Sequence, residues 1–381
     1  MGRHQQQEDR EEEAWTLTKQ ALVQEAAKTL FNGTLENQIQ AARDIRKLSK
    51  TSVKTRANFA AAGVIQPLVS MLNLPNAEAK EASLLALLNL AVRNERNKVR
   101  IVKAGAVPML VELLKSENPS IRESTTAAIL TLSASALNKP SIASSGATPH
   151  LVEILSSGSL QGKVDAVTAL YNLTTCTENL SPLLAPQAVP PLLMLLKECK
   201  KYSKFAEKAT ALIELLSSSD EGLSAISRVE NGILTLVETI EDGSLQSTEH
   251  SVGVLLKLCQ SSREKYRELI LKEGAIPGLL QLTVHGSPKA QQRARALLEL
   301  LRENPTPKTL ESSVLESLVF NIATQVDGAE KAAETAKKLL QEMVQRSMEL
   351  SLSSLQERAS SSDTSSSELP SKFEVELEPE L

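Results

Sequence analysis

Residues 103–114 read KAGAVPMLVELL. The phrase returns as AAGVIQPLVSML (61–72), SSGATPHLVEIL (144–155), APQAVPPLLMLL (185–196), VENGILTLVETI (229–240) and KEGAIPGLLQLT (272–283). Its anchors are Gly63, Gly105, Gly146, Gly232 and Gly274, with Gln187 standing in once, at spacings of 42, 41, 41, 45 and 42 residues. A second phrase follows each anchor: LLNLAV, ILTLSA, LYNLTT, LIELLS, LLKLCQ and LLELLR. Stepping by 42 from its central position reaches Lys47 in IRKLSK at one end and Gln341 in KLLQEM at the other. Self-similarity at this period marks a stacked array.

Each unit decodes physically. A short helical segment such as NKVRIVKA precedes the anchor, where glycine supplies a left-handed helix end. Proline follows within a few residues, tolerated in a first helical turn because that N–H has no partner. The next helix, PMLVELLK, is apolar nearly all round and belongs between neighbours. A polar break leads to a third helix such as SIRESTTAAILTLSAS, where Ala127 and Ala128 allow close approach of another helix. One such unit cannot bury its own apolar faces, so units must stack. The expected fold is all-α, a right-handed solenoid of about seven to eight repeats.

Composition narrows the function. The 381 residues carry 42 Lys+Arg against 46 Asp+Glu, and only 2% are aromatic. That disfavours β-sandwiches, removes the stacking platforms of single-stranded nucleic-acid binders and removes the basic footprint of duplex binders. No nucleic-acid partner is expected. Cys176, Cys199 and Cys259 stand far apart in no metal spacing, which reads as free thiols in a reducing compartment. MGRHQQQEDREEEA lacks the apolar core of a signal peptide, and Gln6 stands where a myristoylation start wants Ser or Thr. No 18-residue apolar stretch offers a transmembrane segment. The reading is a soluble monomer of cytoplasm and nucleus, with the sequons at Asn32, Asn172 and Asn179 as chance matches.

The catalytic inventory is thin. His4, His150, His250 and His285 have no Cys or Asp at a useful spacing. Gly158–Lys163 imitates a phosphate loop but is one residue short, has Val164 where Ser or Thr belongs, and follows a helix. The chain is expected to be no enzyme and to carry no cofactor and no metal. The organisation reads as 1–14 disordered, 15–303 repeats, 304–350 a C-terminal helical cap and 351–381 a disordered tail. That tail has ten serines, seven acids and two bases, a composition that buries too little to order itself. Ser360 and Ser365, each with an acid three residues on, resemble acidophilic kinase sites.

Three helices per unit with a Gly-x-x-Pro junction resemble armadillo repeats rather than HEAT repeats. KAGAVPMLVELL, KEGAIPGLLQLT and KAAETAKKLLQEMVQRSMELS (331–351) resemble the armadillo arrays of plant U-box proteins, over roughly residues 15–350. Nothing here matches the U-box module that precedes such arrays, so the resemblance implies an armadillo-only relative without ligase activity of its own. In armadillo solenoids the third helices line a concave groove, here on the order of 60–80 Å long for seven or eight layers. The repeated position reads Lys47, Asn89, Thr131, Asn172, Glu214, Lys257 and Glu299. One turn earlier stand Arg43, Leu85, Ala127, Thr168, Thr210, Gly253 and Arg295, and Arg93 is placed one turn later in its unit. Nuclear-import receptors of this superfamily use Trp and Asn at these two positions. With Asn only at 89 and 172 and no Trp on the ladder, import-signal binding is not expected. Asn89 and Asn172 admit two roles, a hydrogen bond to a neighbouring repeat or a ligand contact. A lysine-rich stretch with Lys197, Lys200, Lys201 and Lys204, beside Lys208, reads either as a solvated loop or as a contact for an acidic partner, a phosphopeptide or a lipid headgroup. The resemblance implies a scaffold for protein partners in plant signalling, kinase or ubiquitin-pathway components among them. The alternative is a substrate adaptor in ubiquitin transfer.

Overall fold

A computed structural model describes residues 18, 20–175 and 185–302, and all regular structure among them is helical. The chain divides into two compact units, the first reaching Leu192 and the second beginning at Leu193. The first holds α1 (20–32), α2 (Leu35–Ser49), α3 (Val53–Ala61), α4 (Ile65–Met71), α5 (Ala77–Ala91), α6 (Glu95–Lys103), α7 (Ala106–Leu114), α8 (Pro119–Ser133), α9 (Lys139–Ala143), α10 (Ala147–Ser157) and α11 (Leu160–Thr174). A 3-10 turn, Pro186–Ala188, leads into α12 (Val189–Glu198), within which the second unit begins. It continues through α13 (Lys204–Leu216), α14 (Asp220–Arg228), α15 (Gly232–Asp242), α16 (Leu245–Ser261), α17 (Arg263–Lys272), α18 (Ile276–His285) and α19 (Pro288–Leu301). Third helices stack on one another, α2 on α5, α5 on α8 and α8 on α11 in the first unit, and α13 on α16 and α16 on α19 in the second. The fold is the expected all-α solenoid. The readings for 1–14, 304–350 and 351–381, with Cys176, Ser360 and Ser365, fall outside the described residues.

The polar breaks start the third helices. Thr34, Asn76, Asn118, Ser159, Ser203, Ser244 and Ser287 each precede one, and each side-chain oxygen accepts a backbone N–H of the first turn. A cap of this kind contributes about 1 kcal/mol. Three of the cap serines also tie layers together, because their hydroxyls donate to a glutamate of the preceding third helix. These bonds are Ser159 to Glu123 at 2.5 Å, Ser244 to Glu207 at 2.8 Å and Ser287 to Glu249 at 2.6 Å. At the opposite ends, first-helix side chains satisfy exposed carbonyls. Buried Arg56 on α3 donates to the carbonyls of Ser49, Lys50 and Val92, and Arg263 and Arg267 on α17 donate to those of Leu300 and Leu301. Between the two ends lie Ile45, Leu84, Leu90, Ile129, Leu151 and Leu155 in the first unit, all essentially inaccessible.

Gly63, Gly105, Gly146 and Gly274 take the left-handed conformation that the junction demands. The fifth junction differs from its expectation. Asn231, with φ 58°, makes the left-handed turn, and Gly232 opens α15. Asparagine is the side chain that best tolerates this region. Gly232 is there for space, since a Cβ would lie 2.9 Å from the Ile226 carbonyl oxygen. Gln187 needs no glycine because the 3-10 turn replaces the left-handed junction. Asn231→Ala is expected to lower stability by about 1 kcal/mol, with Asn231→Gly holding the wild-type value, read from urea midpoints.

Candidate functional site

On the third helices of the first unit, most ladder side chains are engaged in the scaffold itself. Asn89 Nδ2 donates to the Arg46 carbonyl at 2.9 Å, and Asn172 Nδ2 to Ser133 Oγ at 3.2 Å. Both asparagines therefore bond the preceding layer. Thr131 and Thr168 donate back to the carbonyls of Ala127 and Val164 in their own helices. Arg43 pairs with Glu78 on α5, and Lys47 is exposed. Arg93 is not on a helical face as expected. Helix α5 ends at Ala91, and Arg93 lies in the following turn with φ 51°. Beside them Leu85, Leu88, Leu130 and Tyr171 are half-buried, the last three at equivalent positions of α5, α8 and α11.

In the second unit the ladder is tied shut by charge. Glu214 on α13 accepts from Arg293 Nη2 of α19 through Oε1 at 2.5 Å, and its Oε2 lies 2.6 Å from His250 Nδ1 of α16. Burial alone would push this carboxyl up, but the hydrogen bonds and charges of His250 and Arg293 hold it at about 2. Lys257 Nζ donates to the Glu214 carbonyl at 3.0 Å and to Ser218 Oγ at 2.9 Å, and burial pulls its ammonium below the usual range. Glu214 and Lys257 are thus joined within the unit rather than presented outward. Arg295, also exposed, reaches the Thr283 carbonyl on α18, and Glu299 pairs with Arg302.

Arg293 reaches two layers back because α16 lacks a side chain where it passes. A Cβ on Gly253 would sit 2.6 Å from Arg293 Nη1 and 2.9 Å from Glu214 Oε1. His250 and Arg293 were not among the expected site residues. The available signal was Gly253 itself, a mid-helix glycine where the other layers carry Arg43, Leu85, Ala127, Thr168, Thr210 and Arg295, since such a glycine costs about 1 kcal/mol without a packing reason.

The lysine-rich stretch also separates. Lys197 and Lys200 are exposed. Lys201 turns inward, donating to the carbonyls of Leu196 and Lys197 that end α12, with Glu238 3.6 Å away. Lys204 pairs with Glu207 at 3.0 Å. It is a helix stop and an ion pair more than a uniform basic patch.

Another charge is held against its preference. Asp165 on α11 is buried, and that burial raises its carboxyl to about 6 against the opposing hydrogen bond from Gln161, with nearby Glu123 adding to the rise. Burial likewise pushes the Cys259 thiol up to about 11 and raises Cys199, and both cysteines are free. Among the described residues no group of three or more His, Cys, Asp or Glu could hold a metal ion, and no helix is long and apolar enough to cross a membrane.

Residues 113–320 match the family model described as the plant U-box protein ARM repeat region. U-box domain-containing protein 17 of Arabidopsis thaliana is 33% identical over 309 residues, covering 81% of this chain and 41% of that protein. U-box domain-containing protein 45 of the same plant is 36% identical over 104 residues, covering 26% of this chain and 13% of its own. The chain thus spans well under half the length of these relatives. Among solved structures, a chain from a study of the interaction between cadherin and beta-catenin superposes with a TM-score of 0.63 at 18% identity, over 82% of this chain and 66% of its own. An engineered protein superposes at 0.59 with 21% identity, over 83% and 77%. At these identities the structures speak for the fold.

Proposed function

The chain belongs to the family of plant U-box protein ARM repeat regions, and on that footing we propose that it is a non-enzymatic scaffold holding a segment of a partner protein along its third helices. The observation that carries this reading is the half-buried apolar row of Leu85, Leu88, Leu130 and Tyr171 beside exposed Arg43, Arg46 and Lys47. Apolar surface left part-exposed gains about 25 cal/mol per Å² when a partner covers it, and the basic rim favours an acidic segment. Because Asn89, Asn172, Glu214 and Lys257 are engaged between layers, recognition rests on side-chain contacts to this row rather than on a polar ladder. That a chain of the same fold comes from a study of the interaction between cadherin and beta-catenin supports protein binding as a use of the fold. Plant signalling, with kinase or ubiquitin-pathway partners in cytoplasm and nucleus, is the setting we propose.

The test is a pull-down with mass spectrometry comparing wild type with a Leu88→Glu, Leu130→Glu variant of equal helicity. Partners lost from the variant support the face, and an unchanged partner list sinks it. A second reading, substrate adaptor in ubiquitin transfer, is favoured by the relatives' description as U-box domain-containing proteins. In a reconstituted reaction, substrate modification that needs both this chain and a separate ligase would support it. Activity with no added ligase would overturn the non-enzymatic reading.

A further inference from the structure

We propose that the C-terminal segment Phe373–Leu381 is a built-in occupant of the third-helix face of α2, α5, α8 and α11, an inference that rests on the binding face proposed above. The segment reads FEVELEPEL. In an extended chain successive side chains point to opposite sides. That places Phe373, Val375, Leu377 and Leu381 along one edge and Glu374, Glu376, Glu378 and Glu380 along the other. The face offers half-buried Leu85, Leu88, Leu130 and Tyr171 to the apolar edge, and at its α2 end exposed Arg46 and Lys47 to the acids nearest them. Glu81 and Glu123, which accept the Ser120 hydroxyl at 3.2 Å and the Ser159 hydroxyl at 2.5 Å, keep their charge on α5 and α8, so the acidic edge of the segment is drawn to the α2 end.

Length agrees as well. Nine extended residues span roughly 30 Å at about 3.3 Å each, and four stacked helices at about 8–10 Å separation span roughly 24–30 Å. Residues 303–372 supply the connecting chain. Tethering raises the local concentration of the segment to the order of a millimolar, enough for a weak contact to keep the face covered. The tail then acts as a competitor that an incoming partner must displace.

The experiment titrates a fluorescein-labelled peptide of residues 373–381 into the full chain and into a full chain carrying Glu374→Lys, Glu376→Lys, Glu378→Lys and Glu380→Lys, read by anisotropy. The charge-reversed chain is expected to bind the peptide at least tenfold more tightly than wild type, with Leu88→Glu and Leu130→Glu abolishing that binding. Equal affinity for both chains overturns the inference: the face accepts this chemistry, but its own tail does not occupy it, and the place belongs to an outside partner. Binding undiminished by the two face substitutions overturns the placement. Binding by neither chain overturns the inference too, while the pull-down judges the face independently.

Discussion

Replacing Glu214 by alanine is expected to lower stability at neutral pH by about 1–3 kcal/mol, the cost of leaving half-buried donors without their acceptor. His250 and Arg293 would each lose this partner, Arg293 keeping only its bond to the Glu249 carbonyl. The pH dependence follows from the direction of the carboxyl shift, from 4.5 down to about 2. A depressed acid contributes stability that is complete above its unfolded value and is lost as pH falls through its folded value. The gap in urea midpoint between wild type and Glu214→Ala should therefore be full at pH 6–7 and close between about pH 4.5 and 2. Gly253→Val tests the same assembly sterically, because its side chain would occupy the space that Arg293 crosses. It should show a comparable loss with Glu214, His250 and Arg293 all present. A midpoint unchanged in both variants would mean that the cluster contributes nothing.

Asp165→Asn is expected to act in the opposite direction. Its carboxyl is raised from 3.8 to about 6, a shift worth up to about 3 kcal/mol at 1.36 kcal/mol per unit. Here the folded state holds the proton more tightly than the unfolded state. The penalty is absent below about pH 4, grows as pH rises to 6 and is complete above that. Asparagine keeps an oxygen for Gln161, which donates to Asp165 at 2.8 Å, and removes the buried charge beside Glu123. Stability at pH 7 should rise by about 2–3 kcal/mol, and wild type and variant should converge near pH 4. A variant no more stable than wild type at pH 7 would refute the assignment.

The layers were legible in the sequence because their punctuation is local. A left-handed residue, a proline in the first turn and a polar cap each act within a few positions, and they repeat. The fifth junction was misread because Asn231 and Gly232 are adjacent and either can carry a left-handed turn, and the choice falls to packing around Ile226. Arg93 leaves the helical face because α5 stops at Ala91, a stop that periodicity alone does not mark. Lys201 gave no sign that it would turn back onto the carbonyls ending α12. The role of Glu214 lay further still from view, since its partners come from the next layer and the one after, and the second is admitted by a missing side chain on the first.

That missing side chain bears on how the second unit comes apart. In a linear array each repeat contacts its immediate neighbours, so stability sums over adjacent pairs and an end layer can fray by itself. The reach of Arg293 past Gly253 to Glu214 adds a coupling between next-nearest neighbours. Opening α19 then removes the arginine that shares the carboxylate of α13 with the histidine of α16. The α13, α16 and α19 layers should exchange their amide hydrogens as a single cooperative block, with no gradient running inward from α19.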